Sequence, residues 1–152
     1  MTNLRQVAVL LAVLGWPLPS PSVAADLVGT WVGAFDQDSH DTTGRFRMIL
    51  TIERMEGAEF RGTLDWPDNN DCRTAVEGSF DGTAATWVET KYLRGDDVVL
   101  GGLYIGRFDR DGRLAGTWFD PKYTINPKGP NFGTPGGSFV LQREATKAGV
   151  GR

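Results

Sequence analysis

The chain of 152 residues holds one cysteine, Cys72, and one histidine, His40. A single cysteine excludes a disulfide within the chain, so the core must hold together by packing. One histidine leaves too few parts for a Ser–His–Asp triad or a conventional zinc site. The G-x-S-x-G, H-E-x-x-H and phosphate-loop motifs are absent as well. No basic run occurs and the formal net charge is −3, which argues against nucleic acid or an anionic membrane as partner. The apolar run VAVLLAVL (7–14) falls well short of the roughly 20 residues a spanning helix needs, so no membrane anchor is expected. Helical periodicity is also missing: no segment shows a convincing 3.6-residue period.

The apolar run instead has the flanks of a leader. Arg5 gives it a basic start, Pro17, Pro19 and Pro21 break it, and Val23-Ala24-Ala25 supplies the small residues a signal peptidase reads. Residues 1–25 are therefore expected to be a cleaved signal peptide ending near Ala25, with the mature protein periplasmic or secreted. No cysteine follows at a lipoprotein cleavage position. Residues 26–143 then form one domain, and 144–152 (EATKAGVGR) a disordered tail.

What fills that domain is alternation with period two. Phe60, Gly62, Leu64 and Trp66 alternate with charged and polar residues in EFRGTLDW, and Phe46, Met48, Leu50 and Ile52 do so in RFRMILTIER. The pattern predicts eight strands near 28–35, 45–54, 58–66, 73–80, 83–90, 98–109, 113–119 and 138–143. Asp81-Gly82 reads as a two-residue hairpin turn pairing Phe80 with Thr83, which turns Thr83, Ala85, Trp87 and Glu89 to Phe80's face. Connections alternate between tight turns (55–57, 81–82, 110–112) and longer loops (36–44, 67–72, 91–97, 120–137). In an up-and-down meander, alternate connections share an end. The expected fold is all-β, an eight-stranded antiparallel up-and-down barrel with a closed floor and a loop-ringed mouth. Inward glycines at 33, 62, 78, 106 and 116 either let the strands coil or leave a hollow; curvature alone suffices.

Gly-Thr-Trp occurs twice, at 29–31 and 116–118, and Arg143 closes the last strand. G-x-W on the first strand with an arginine ending the last resembles the calycin superfamily of lipocalins, fatty-acid-binding proteins and avidins. The order of EFRGTL, a strand with Trp87, YIGRFDRDGRLAGTW and a final strand ending in arginine is most similar to the avidin branch. The resemblance implies that Trp31 and Arg143 stack in the barrel floor as a structural plug. It also sets Trp87 and Trp118 beside a ligand. The rest of a biotin site does not carry over. Val32-Gly33-Ala34 stands where avidins offer asparagine and serine, Leu64 where they place a tyrosine, and Trp66 where they place a small hydroxyl residue.

The expected site is an apolar, aromatic mouth lined by Phe35, Phe46, Leu64, Trp66, Trp87, Trp118 and Tyr123, taking a small apolar or aromatic molecule without a cofactor. The mouth loops carry eight aspartates (36, 38, 41, 68, 71, 96, 97, 120) against Lys91, Arg94, Lys122 and Lys128, a field that favours cations over polyanions. Asp36, Asp38, His40 and Asp41 lack the spacing of an EF-hand, and no metal site is assigned. The proline-rich loop 120–137, with Tyr123 and Phe132, has the length of a lid. Glu89, turned into an apolar interior, is the candidate acid or base of an alternative reading, a cofactor-free cyclase or isomerase; the protein leans towards not being an enzyme. A filled-core interaction or inhibitor barrel is a further alternative. Val32, Ile49 and Val140, and separately Val88, Leu103 and Ile105, form outer apolar stripes that suit a homo-oligomer.

Overall fold

The computed structural model describes residues 27–39, 42–124 and 126–145. The predicted leader, His40, Asp41 and the tail from 146 lie outside the described residues. Eight strands run in chain order: β1 (Gly29–Ser39), β2 (Thr42–Glu56), β3 (Glu59–Trp66), β4 (Cys72–Phe80), β5 (Ala84–Arg94), β6 (Leu103–Phe108), β7 (Leu114–Phe119) and β8 (Gly137–Arg143). One short helix, α1 (Pro121–Thr124), precedes β8. Each strand pairs antiparallel with the next and β8 returns to β1, so the sheet closes on itself. The expected eight-stranded up-and-down barrel is the observed architecture.

The period-two pattern sets the inside. Met48, Leu50 and Ile52 of β2, Phe60 and Leu64 of β3, and Phe139 and Leu141 of β8 are all buried, as alternation on a strand requires. Floor and mouth also fall as the loop lengths predict. Gly57-Ala58, the turn after Phe80 and the turn after Phe108 close one end, and the connections after β3, β5 and β7 lie at the other.

Four details differ from the expectation. First, 36–39 and 42–44 are strand, not loop: β1 and β2 stay paired from Gly29↔Ile52 out to Ser39↔Thr42, forming a ribbon that stands above the mouth. Second, the turn after β4 is two residues longer. The Asp81 carboxylate accepts the N–H groups of Thr83 and Ala84 at 2.8 Å, and Phe80 pairs with Ala85 rather than Thr83. A shift of two keeps every later side chain on its predicted face, so Trp87 and Glu89 still point inward, while Thr83 is exposed in the turn. Third, β5 runs on to Arg94 and β6 begins only at Leu103, so the loop between them is 95–102. Fourth, the β4–β5 register slips between Ala75↔Lys91 and Val76↔Glu89, leaving Thr90 as an extra residue. Beyond this bulge β5 is exposed, and Glu89 is its last buried side chain. Bulges recur where a strand must re-aim a side chain.

The inward glycines do not make a hollow. A Cβ on Gly33 would sit 1.9 Å from the Val140 carbonyl oxygen, on Gly62 1.9 Å from that of Thr51, and on Gly116 1.9 Å from that of Ile105. Neighbouring backbone already occupies that space. Beside Gly106 the Phe139 ring lies 3.1 Å from where a Cβ would stand.

At the floor the Arg143 guanidinium carbon lies 4.8 Å from the centre of the Trp31 ring. Its Nη1 donates to the Val28 carbonyl at 2.8 Å, and the Trp31 indole N–H donates to Leu27 at 2.9 Å. Arg143 does not turn into the interior, however. It is exposed and covers Trp31 from outside, where its charge keeps its water.

Candidate functional site

At the mouth, a cavity of about 250 Å³ enters the barrel between the β1–β2 ribbon and the 95–102 loop. Its apolar wall is Phe35, Phe46, Trp66, Trp118, Val98 and Val99; Glu89, Tyr104 and Asp97 are among its polar groups. The volume lies just below the range of about 300–1,000 Å³ usual for drug-sized ligands, which scales the occupant to one small ring system. A larger hollow of about 380 Å³ lies on the outer wall, among Arg54, Glu56, Arg61 and Glu77. The ion pairs there, Arg54–Glu56 at 3.4 Å and Arg61–Glu77 at 3.8 Å, are exposed. It contains no buried ionisable group and is not the site.

Glu89 is the centre of the mouth cavity. It is 2% exposed, and three strands supply hydrogen bonds to it. Trp66 Nε1 of β3 donates to Oε2 at 3.1 Å, Thr74 Oγ1 of β4 donates to Oε2 at 2.5 Å, and Tyr104 Oη of β6 donates to Oε1 at 2.7 Å. No basic side chain of the described residues bonds to the carboxyl or lines the cavity. Burial pushes the Glu89 carboxyl above the ordinary carboxylate range, against the pull of the bonds from Thr74, Tyr104 and Trp66. Burial, and then the neighbouring Glu89, hold the Tyr104 phenol well above its ordinary range, so Tyr104 remains a neutral donor. In the protonated state Glu89 donates from Oε1 to the Tyr104 oxygen and still accepts from Trp66 and Thr74 at Oε2, while the Tyr104 O–H gives up its bond to the carboxyl.

The ring geometry is ordered. Phe35 meets Trp66 and Trp118 edge-on, with centroids 5.5 and 5.9 Å apart. Trp87 stacks on Tyr104 at 5.1 Å with planes 2° apart. Of the residues expected at the mouth, Phe35, Phe46, Trp66 and Trp118 line the cavity together with Glu89. Leu64 and Trp87 sit one inward position deeper on β3 and β5, buried in the core below it. Tyr123 stands on α1, with Lys122 Nζ 5.4 Å from its ring, and neither it nor the exposed Phe132 is on the cavity wall.

Tyr104 is the residue that sequence reasoning passed over. Alternation already placed Gly106 inward, and the same period turns Tyr104 inward two positions before it. The acidic loops are largely committed to structure. Asp36 pairs with Arg45 at 2.9 Å, Arg94 joins Asp71 at 2.8 Å, and Asp120 caps α1 by accepting the Lys122 N–H at 2.9 Å. Cys72 is buried, and burial raises its thiol above the usual range, so it behaves as a small apolar residue. Among the described residues no group of three or more His, Cys, Asp or Glu is placed to hold a metal ion.

No family model matches the chain, and no curated protein matches it.

Proposed function

We propose that this protein is an exported, calycin-like β-barrel that binds a small apolar or aromatic molecule through its mouth. The observation that carries the reading is the cavity itself: five aromatic side chains converge on about 250 Å³ of space that opens between the mouth connections. Edge-to-face contacts hold these rings in fixed orientations around the space. Gly29-Thr30-Trp31 with Arg143 over the indole supports the calycin assignment, and the leader-like segment 1–25 supports export. The mature protein begins near Asp26. The outer stripe containing Val140, 45% exposed, fits self-association through the barrel wall.

Native mass spectrometry of the mature chain, purified gently from its export compartment, tests this. A discrete extra mass lost on denaturation identifies the ligand class. A clean mass, unchanged after incubation with small apolar and aromatic compounds, overturns the reading.

A second reading rests on Glu89 alone. A carboxyl raised by burial and facing a cavity suits proton transfer, as in a cofactor-free cyclase or isomerase. The two part on Glu89→Gln: in an enzyme turnover disappears while binding survives.

A further inference from the structure

We infer that the molecule held in the mouth carries a protonated nitrogen, and that this ammonium group seats against Glu89. The inference rests on the binding reading above and specifies the class of ligand.

Charge is the first ground. The cavity wall includes two carboxyl groups, Glu89 and Asp97, and no lysine or arginine among the described residues. An anionic ligand would meet two acids with no base to receive it. A neutral apolar ligand would leave a buried carboxyl without a counter-charge, which costs several kcal/mol unless the group stays protonated. An ammonium group supplies the missing opposite charge.

Hydrogen-bond capacity is the second. A carboxylate offers about four lone-pair sites. Oε2 receives both Trp66 and Thr74, whereas Oε1 receives Tyr104 alone. Oε1 therefore retains acceptor capacity. The three donors also fix the carboxyl in place, so a ligand meets a prepared acceptor.

The third ground is the wall. Phe35, Phe46, Trp66, Tyr104 and Trp118 line the same cavity as the carboxyl, so a ligand seated there lies among π-systems. Ring faces attract a cation and do not attract an anion, and the attraction grows when water is excluded. Acid and rings thus favour the same ligand: a small aromatic or apolar body bearing an amine.

A barrel that needed only a filled interior would be served as well by glutamine at position 89, which hydrogen-bonds to the same three side chains without a charge. A buried ionisable group kept without an opposite charge among the described residues is a better match to a charged ligand than to a packing role.

The test compares four probes of similar size by calorimetry and tryptophan fluorescence on the mature protein: phenethylammonium, phenethyl alcohol, phenylacetate and indole. Phenethylammonium is expected to bind at least about tenfold more tightly than the alcohol, with phenylacetate weakest. Glu89→Gln, which keeps the shape, is expected to abolish the preference for the ammonium while leaving the alcohol within about threefold. The wild-type ranking reads the charge preference even if that variant fails to fold. Equal binding of ammonium and alcohol, or a preference for phenylacetate, overturns the cation inference and leaves the binding reading standing. If none of the four probes binds, indole included, both fall.

Discussion

The two ends of the barrel carry the same tripeptide and use it in opposite ways. At the floor, Trp31 follows Gly29-Thr30; its N–H is bonded to Leu27 and its ring is covered by Arg143. At the mouth, Trp118 follows Gly116-Thr117; its N–H has no partner among the described residues, and its ring faces a cavity. The carboxyls divide in the same way. The floor turns hold Asp81 and Asp109 below the ordinary carboxylate range, chiefly because backbone N–H groups of Ala84 and Arg113 bond to them. At the mouth, burial pushes Glu89 the other way. A polar group that is satisfied by its own chain serves the fold. One left with acceptor capacity on a cavity wall, as Glu89 Oε1 is, is available to a ligand.

Substitutions sharpen this contrast. The largest effect is expected from Trp31→Ala, which removes the floor plug and costs about 3–5 kcal/mol of stability by urea denaturation. Glu89→Gln should do the reverse. The folded carboxyl is raised, so its contribution is fully present below the unfolded value of 4.5 and is lost as pH rises through the folded value. The variant should match the wild type in acid and exceed it increasingly as pH rises through the folded value, because it no longer has a charge to bury. Denaturation curves at several pH values would show the gap opening upward; a gap that opens downward would contradict the assignment. Arg143→Ala should cost about 1–2 kcal/mol through lost contact with Trp31 and the lost bond to Val28, visible as a lower melting temperature. Arg45→Ala, which breaks the exposed pair with Asp36 on the ribbon, should stay within about 0.5 kcal/mol. Asp81→Asn and Asp109→Asn remove groups whose stabilisation is present above pH 3.8 and lost as pH falls through their folded values. Both variants should match the wild type in strong acid and fall below it above about pH 3.8, so that the acid limb of the stability profile is flattened.

The barrel was legible because its information is local. Alternation in EFRGTLDW fixes which side chains face inward whatever the partner strand. Turn lengths fix which end each connection joins. The Phe80–Thr83 register failed because an aspartate side chain capturing two backbone N–H groups lengthens the turn, a choice that Asp-Gly alone does not reveal. Even so, the error of two residues left Glu89 inward. The site was half legible. Phe35, Phe46, Trp66, Trp118 and Glu89 follow from phase, but their convergence depends on where β5 leaves the wall, and that is set by the bulge at Thr90. Tyr104 and Thr74 matter through contacts across three strands, which no single-strand pattern contains. Leu64 and Trp87 share the phase of the site residues and differ from them only in depth.

Gly33, Gly62 and Gly116 lie where a neighbouring carbonyl oxygen would stand 1.9 Å from any added carbon. At these three seams the chain has an alphabet of one letter, since even alanine would force the strands apart. The cavity wall has no such restriction: leucine can replace Phe46 or Val99 without touching the closure of the sheet. Drift in a lineage of such barrels would then be channelled towards the mouth. The vessel keeps its form while what it holds is free to change.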